Sequence, residues 1–435
     1  MNKPSGLNII EASVAWIAIL FPFLIAAGKG PAEIGTTTVA ILFVIYVIIT
    51  KDFRFLKEKW FISIGILWLY LVARSFFTPD IKHAVAKAFP FVRFILFAAC
   101  LEFVASKNQK INSRIFTALC ITLAFLVLDG FIQFFVGHDL FGRLRIGLPS
   151  GYVRLTGPLS KQILGTIIAT FGIIGIAGII PLFKKSKHYF WLIFFSFSLI
   201  YIIIFLAGER AALLRFLISI TLLWLGLFLK SKDVKTKKNL YIIVLIVFVL
   251  TLAITNINLL FETTNSDFKI GNIDRQIASS IREVINPQTS SYLFLWKTGM
   301  KAGFTNILFG VGPNHFEFFC QANPHSALPL CTAFGQMFFH PHNIWIELFA
   351  ESGLVGITLF SIFLYELIKK FIKFYAACLN FFECSLIIGV GLAAFQRLLP
   401  LPSSGFFKNW YAIPIWFAIG WMLYIISINK SKSLK

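Results

Sequence analysis

Apolar runs of about 18 residues or more recur along the whole chain, each long enough to cross the hydrocarbon core of a bilayer. They fall at 8–27, 33–50, 60–77, 85–105, 115–136, 162–183, 189–207, 211–229, 240–260, 344–368, 379–400 and 410–427. This spacing predicts an all-α integral membrane protein of about twelve transmembrane helices. Only 14% of the residues are charged and 58% are hydrophobic, where soluble domains average about a quarter charged, so a water-soluble globule is excluded. The first run has no convincing cleavage site and is followed by many others, so it reads as a retained span rather than a signal peptide.

Basic residues orient the bundle. Lys51, Arg54, Lys57 and Lys59, then Lys107, Lys110 and Arg114, then Lys184, Lys185 and Lys187 occupy alternate connections. KSKDVKTKK at 230–238, Lys369, Lys370 and Lys373, and the tail NKSKSLK continue the series, which predicts a cytoplasmic location for both termini. The formal charge of +21 is then explained by loops on an anionic leaflet, and with no soluble basic domain no nucleic-acid partner is expected. The chain divides into spans one to nine over 1–260, an outer loop over 261–341, and spans ten to twelve over 342–435.

Two outer segments depart from the charge pattern. Residues 137–162 hold Arg143, Arg145, Arg154 and Lys161 against one acid, Asp139. They either touch outer-leaflet phosphates or bind an anionic ligand such as pyrophosphate. In 261–341, NIDRQIASSIREVI reads as an amphipathic helix with Arg275 and Arg282 on its polar face, lying on the interface or aiming an arginine into a cleft. SYLFLWKTGMKAGF reads as a second helix, and Gly310 and Gly312 suit a tight bend after it. Cys320 and Cys331 are the two cysteines of this loop and are expected to pair, whereas Cys100, Cys120, Cys378 and Cys384 are packing residues. Arg210 sits where spans seven and eight meet, and a plain turn would not need it; Arg215 and Arg397 stay ambiguous between a site role and pairing within the bundle.

The stretch HPHNIWIELFAESGLVG begins at His340. Pro341 suits a first helical turn, which would put His342 and Asn343 in the first turn of span ten. The partial positive charge of a helix N-terminus would keep His342 neutral and able to accept a proton at the membrane rim. The bland alternative is that the two histidines merely cap the helix among headgroups. Gly353 and Gly356 are expected to let another helix approach closely.

These residues together resemble the O-antigen ligase and polymerase superfamily. The resemblance rests on His342-Asn343, nine residues, Gly353 and then Gly356; on Arg210 followed by Leu214; on RLTGPLSKQILG at 154–165; and on LWKTGMKAGFTNILFGVGPNHF ahead of the histidine. It implies a GT-C-like glycosyltransferase that moves a glycan from undecaprenyl pyrophosphate to an acceptor hydroxyl at the periplasmic face of the inner membrane. The lipid A–core is the acceptor for a ligase, and membrane lipids surround the protein. Under it His342 is the general base, and Arg210 with Arg282 or Arg275 grips the pyrophosphate. Arg154, Arg145, His340 and Asn343 are the expected substrate-binding residues. No cofactor or metal is expected, because the outer segments offer no paired carboxylates at ligand spacing. One departure stands out: many relatives carry an arginine where this chain has Tyr292. A polymerase or protein O-oligosaccharyltransferase of the same superfamily, or a lipid-linked glycan transporter, are the alternatives. The outer basic residues and single large loop favour an enzyme over a transporter, which would more often show repeat symmetry.

Overall fold

The computed structural model describes residues 5–147, 153–159, 161–181, 188–230, 291–322, 340–378 and 381–433. The expected ninth span, the amphipathic helix with Arg275 and Arg282, and Cys331 lie outside the described residues. Cys320 is disulfide-bonded, and the four cysteines expected to pack are free thiols.

The helices are α1 (Ser5–Ala27), α2 (Lys29–Thr50), α3 (Lys59–Ser75), α4 (Ile81–Ala88), α5 (Val92–Phe103), α6 (Ile111–Val136) and α7 (Leu164–Ile179). They continue with α8 (His188–Leu206), α9 (Arg210–Lys230), α10 (Ser291–Thr305), α11 (Phe316–Ala322), α12 (Ile344–Ala377), α13 (Phe381–Phe395) and α14 (Asn409–Ser433). Among the described residues the only strands are the two-residue antiparallel pair Ile146–Gly147 and Val153–Arg154, so the fold is all-α. Seven helical stretches there are long and apolar enough to cross a membrane, and three shorter apolar helices accompany them.

Chemistry sets the helix ends. Asp80 caps α4 by accepting from His83 N at 2.9 Å, and Gly137 closes α6 in the left-handed region at φ 95°. The α14 span is buried on nearly every face, as expected of a helix apolar all round, and it is the post around which α5, α13 and α2 gather. Gly420 of α14 makes the closest approach, since a Cβ there would lie 3.2 Å from Ala98 Cα of α5.

Polar contacts sort the connections into two ends. At one end Lys370 of α12 bridges Glu58 at 2.6 Å and Glu102 at 2.5 Å, and Trp60 Nε1 donates to Glu102 at 2.9 Å. Lys107 meets Glu11 at 2.9 Å, and Lys230 donates to the carbonyls of Ala376 and Cys378. The alternate connections with basic residues at 51–59 and 107–110 therefore share one end with Lys230 and Lys370. The connections around 28–33, 78–91, 137–163, 310–316, 340–343 and 398–409 meet at the other, where the candidate site lies.

Candidate functional site

The site is built on a broken helix. Asn343 stands at φ −151° and ψ 121° as the N-cap of α12, and its side-chain oxygen accepts from Trp345 N at 3.0 Å and Ile346 N at 3.4 Å. Ten residues later Gly353 takes φ 62° and ψ −162°, a conformation essentially confined to glycine. The backbone groups freed by this kink are satisfied by the 307–312 turn. Leu354 N donates to Ile307 O at 2.8 Å and Val355 N to Leu308 O at 3.2 Å, while Val311 N and Gly312 N donate to Ala350 O and Glu351 O. Tyr70 Oη donates to Ser352 O at 2.7 Å, and the Glu351 carboxylate accepts from Asn314 N at 2.6 Å. A Cβ on Gly310 would lie 2.5 Å from the backbone of Glu351, and one on Gly353 would run into the backbone of Leu308. For Gly353 this corrects the expectation of helix-on-helix packing, since the residue breaks α12 and admits a turn; Gly356 lies against Ser352 of its own helix and near Tyr70 of α3, on which α12 packs.

His342 also departs from expectation. It lies outside α12, before the cap, in the left-handed region at φ 53° rather than in the first turn. What holds this non-glycine residue there is a pair of contacts with Ser403. The His342 carbonyl accepts from Ser403 N at 2.7 Å, and His342 Nδ1 lies 3.2 Å from Ser403 O. A ring nitrogen facing a carbonyl must carry the proton, so Nδ1 is the N–H and Nε2 is the proton-accepting nitrogen. Below it, His342 N donates to His340 Nδ1 at 3.2 Å, and the two rings stand 4.0 Å apart between centroids. Tyr292, the departure noted in the sequence, lies with its ring edge-on to that of His342 at 5.8 Å. Burial pushes the His342 imidazole down to about 4, the charge of Lys408 pushes the same way, and the Ser403 carbonyl opposes them. His340, 4% exposed, is held well below the ordinary histidine value by burial, His342 and Lys408. Neutrality was foreseen, but burial enforces it first, and the N-terminus of α12 is capped by Asn343.

Arginines converge behind this turn. Arg215, one turn into α9, donates Nη2 to Pro402 O, the residue before Ser403. Arg397, 1% exposed, donates to Trp410 O, Tyr411 O and Thr166 O at 3.3–3.4 Å and lies over the Tyr411 ring. Glu209 caps α7 by accepting from Gly165 N at 2.7 Å and from Thr166 N and Oγ1. Burial raises its carboxyl, against the hydrogen bonds from Thr166 and the charge of Arg154. Two buried guanidiniums and one carboxyl thus back the loop that clamps His342.

The expected residues separate as follows. Arg210 is the first residue of α9, half-buried and next to Glu209. Arg154 donates to Gln162 Oε1 at 3.2 Å and faces Glu209. Arg145 is exposed and donates to Phe134 O at 3.2 Å, along the stem of α6. Asn343 spends its oxygen on the helix cap. A cavity of about 980 Å³ opens beside His340, lined also by Lys87, Lys161, Glu347 and Lys408, and among the described residues His340 is the expected site residue that lines it. Sequence reading missed Ser403, Tyr411, Glu347 and Lys408. Lys408 had a usable signal, a positive charge on an outer connection; Ser403 had none, because it acts through its backbone.

Residues 193–361 match the family described as O-antigen ligase. The matched stretch runs from α8 into α12 and takes in Arg210, Tyr292, His342 and the Gly353 kink. No curated protein sequence matches the chain.

Proposed function

We propose, for a chain that belongs to the O-antigen ligase family through its residues 193–361, that it joins a lipid-linked glycan to a lipid A–core hydroxyl. The donor is an undecaprenyl-pyrophosphate-linked O-antigen, and the reaction runs on the periplasmic face of the inner membrane. The observation that carries this reading is the His342–Ser403 clamp, which holds the imidazole with Nδ1 against a carbonyl, beside His340 at the end of the bundle where the cavity opens.

The acceptor hydroxyl gives its proton to His342 Nε2 as its oxygen attacks the anomeric carbon. The bond from that carbon to the pyrophosphate oxygen breaks, and the leaving group departs with the electron pair. Attack from the opposite face inverts the anomeric centre. Arg210, with Arg282 or Arg275 of the outer loop, neutralises the charge that builds on the pyrophosphate, which makes a metal ion unnecessary. Arg154 and Arg145 lie on the 137–162 connection and extend the same positive field.

The test is a transfer assay with purified protein, undecaprenyl-pyrophosphate-linked O-antigen and lipid A–core. The expected product is lipid A–core carrying the whole polymer. Extension of the lipid-linked glycan without capping of lipid A–core would instead mark a polymerase, and binding of donor with no transfer of any kind would leave only transport.

A further inference from the structure

Lys87, Lys161 and Lys408 come from three separate parts of the chain: α4, the segment before α7, and the turn before α14. All three line the cavity that His340 also lines. Lys408 feels the charge of Glu347 first, then the like charges of Lys161 and Lys87, then Glu317, and the lysine repulsion is one that a further anion in the cavity would relieve. Glu347 and Glu317 offset part of this repulsion, and the acids of the cavity are also held by other groups. Glu347 turns both oxygens to Phe406 N at 2.9 and 3.0 Å, and Glu317 accepts from Gln321 Nε2 at 3.3 Å. Glu33 is engaged by Lys29 at 3.4 Å and by Asn409. Among the described residues none of the three ammonium groups has a carboxylate within 4.0 Å.

We infer that Lys87, Lys161 and Lys408 form a binding site for a phosphate group carried by the acceptor glycolipid. The identity of the acceptor rests on the function proposed above; the convergence of the three lysines on one cavity does not. Lysine is a compact, hydrated point charge, suited to a phosphate monoester in a wet cavity, whereas the planar guanidinium fork suits the pyrophosphate assigned to Arg210. Arg210 and Arg154 are not among the residues lining this cavity, so the two anions have separate walls. His340 stands at the cavity wall with its ring 4.0 Å from that of His342. A glycolipid anchored by phosphate on the lysines would therefore hold its sugar hydroxyls on the side of the base, which explains why a basic cavity adjoins a neutral histidine.

The test uses full-length protein in phosphatidylcholine nanodiscs, as wild type and as the Lys87→Gln/Lys161→Gln/Lys408→Gln variant. Two probes are compared, phosphorylated lipid A–core and the same glycolipid after removal of its phosphates. All three lysines are exposed, so the variant is expected to fold, and a matched Lys→Arg variant keeps the charge. The wild type should bind the phosphorylated probe about tenfold more tightly than the variant does, a modest figure because the lysines are solvated. The arginine variant should resemble wild type, and the dephosphorylated probe should bind both proteins equally weakly. In the transfer assay the acceptor KM should rise and the donor KM should stay constant. Equal binding of the phosphorylated probe by wild type and glutamine variant overturns the inference, as does an equal loss on the dephosphorylated probe or a rise confined to the donor KM. Preferential binding of the phosphorylated probe without transfer to it would sink the proposed function and leave the site standing; transfer with unaltered binding in the variant would do the reverse.

Discussion

His342 and Ser403 are joined twice, once through the histidine carbonyl at 2.7 Å and once through its ring Nδ1 at 3.2 Å. One contact fixes the backbone of a non-glycine residue in the left-handed region, and the other fixes the tautomer. The side chain of Ser403 contributes to neither. The turn between α13 and α14 thus orients the His342 ring, a part that carboxylates and backbone carbonyls play for functional histidines.

The pH dependence follows from the depressed histidine. With the imidazole held down to about 4, His342 is neutral throughout the ordinary working range. Below that value Nε2 is protonated and cannot accept, so kcat should be flat from pH 6 to 8 and fall about tenfold per unit under pH 4. Single-turnover rates across that range measure it. A midpoint near 6.5 would mean that the ring is solvated and the burial argument is wrong.

Arg215 and Arg210 should fail differently. Arg215 holds Pro402 O, next to Ser403, and so is expected to act on His342 by position. Arg215→Gln should lower kcat by roughly tenfold to a hundredfold, the range for a hydrogen bond to a charged group, with the donor KM nearly unchanged. Arg210→Lys keeps the charge and loses the fork, and should raise the donor KM. The paired KM and kcat values decide; an Arg210→Lys protein with wild-type constants would reduce that residue to interfacial anchoring.

Gly353→Ala should destabilise the protein. The backbone region alone costs of order 1–3 kcal/mol for a residue with a Cβ, and the Leu308 backbone leaves that atom no room. Thermal unfolding in detergent should show a lowered midpoint, and the 307–312 turn should become more open to proteolysis. An unchanged midpoint would show that the helix can straighten without loss.

Transfer should be insensitive to chelation. Asp139, Glu209, Glu262, Asp267, Asp274, Glu283 and Glu317 are scattered over the outer segments, with no close pair at ligand spacing, and basic residues surround the places where phosphate would sit. Excess EDTA should leave the rate unchanged, and Mg²⁺ or Mn²⁺ should not raise it. Loss in EDTA with rescue by Mn²⁺ would contradict the arginine roles.

Much of the bundle was readable in the sequence because spans in lipid are long and apolar, and a run such as 410–427 needs no tertiary knowledge to be seen. The break at Gly353 was not. A glycine inside an apolar run is compatible with a straight helix, and only the 307–312 turn, distant in sequence, makes the broken form the satisfied one. The site divides the same way. His342 and Arg210 were visible as charged or titratable groups at span ends, where chance placement is expensive. Ser403 was invisible because backbone groups leave no residue signature. The departure at Tyr292 was readable, but its meaning, an aromatic edge against the His342 ring, required the fold. The lysine cavity combines residues from three connections, each unremarkable alone.

The central claim, that His342 is the base, is tested most directly by His342→Ala in the purified transfer reaction, with donor binding measured on the same preparation. Loss of a positioned base typically costs about 10²–10⁴-fold in rate. The expected result is a kcat lowered within that range, donor binding close to wild type, and a rate that no longer falls with a midpoint near pH 4. Near-normal turnover in the His342→Ala protein would contradict it outright.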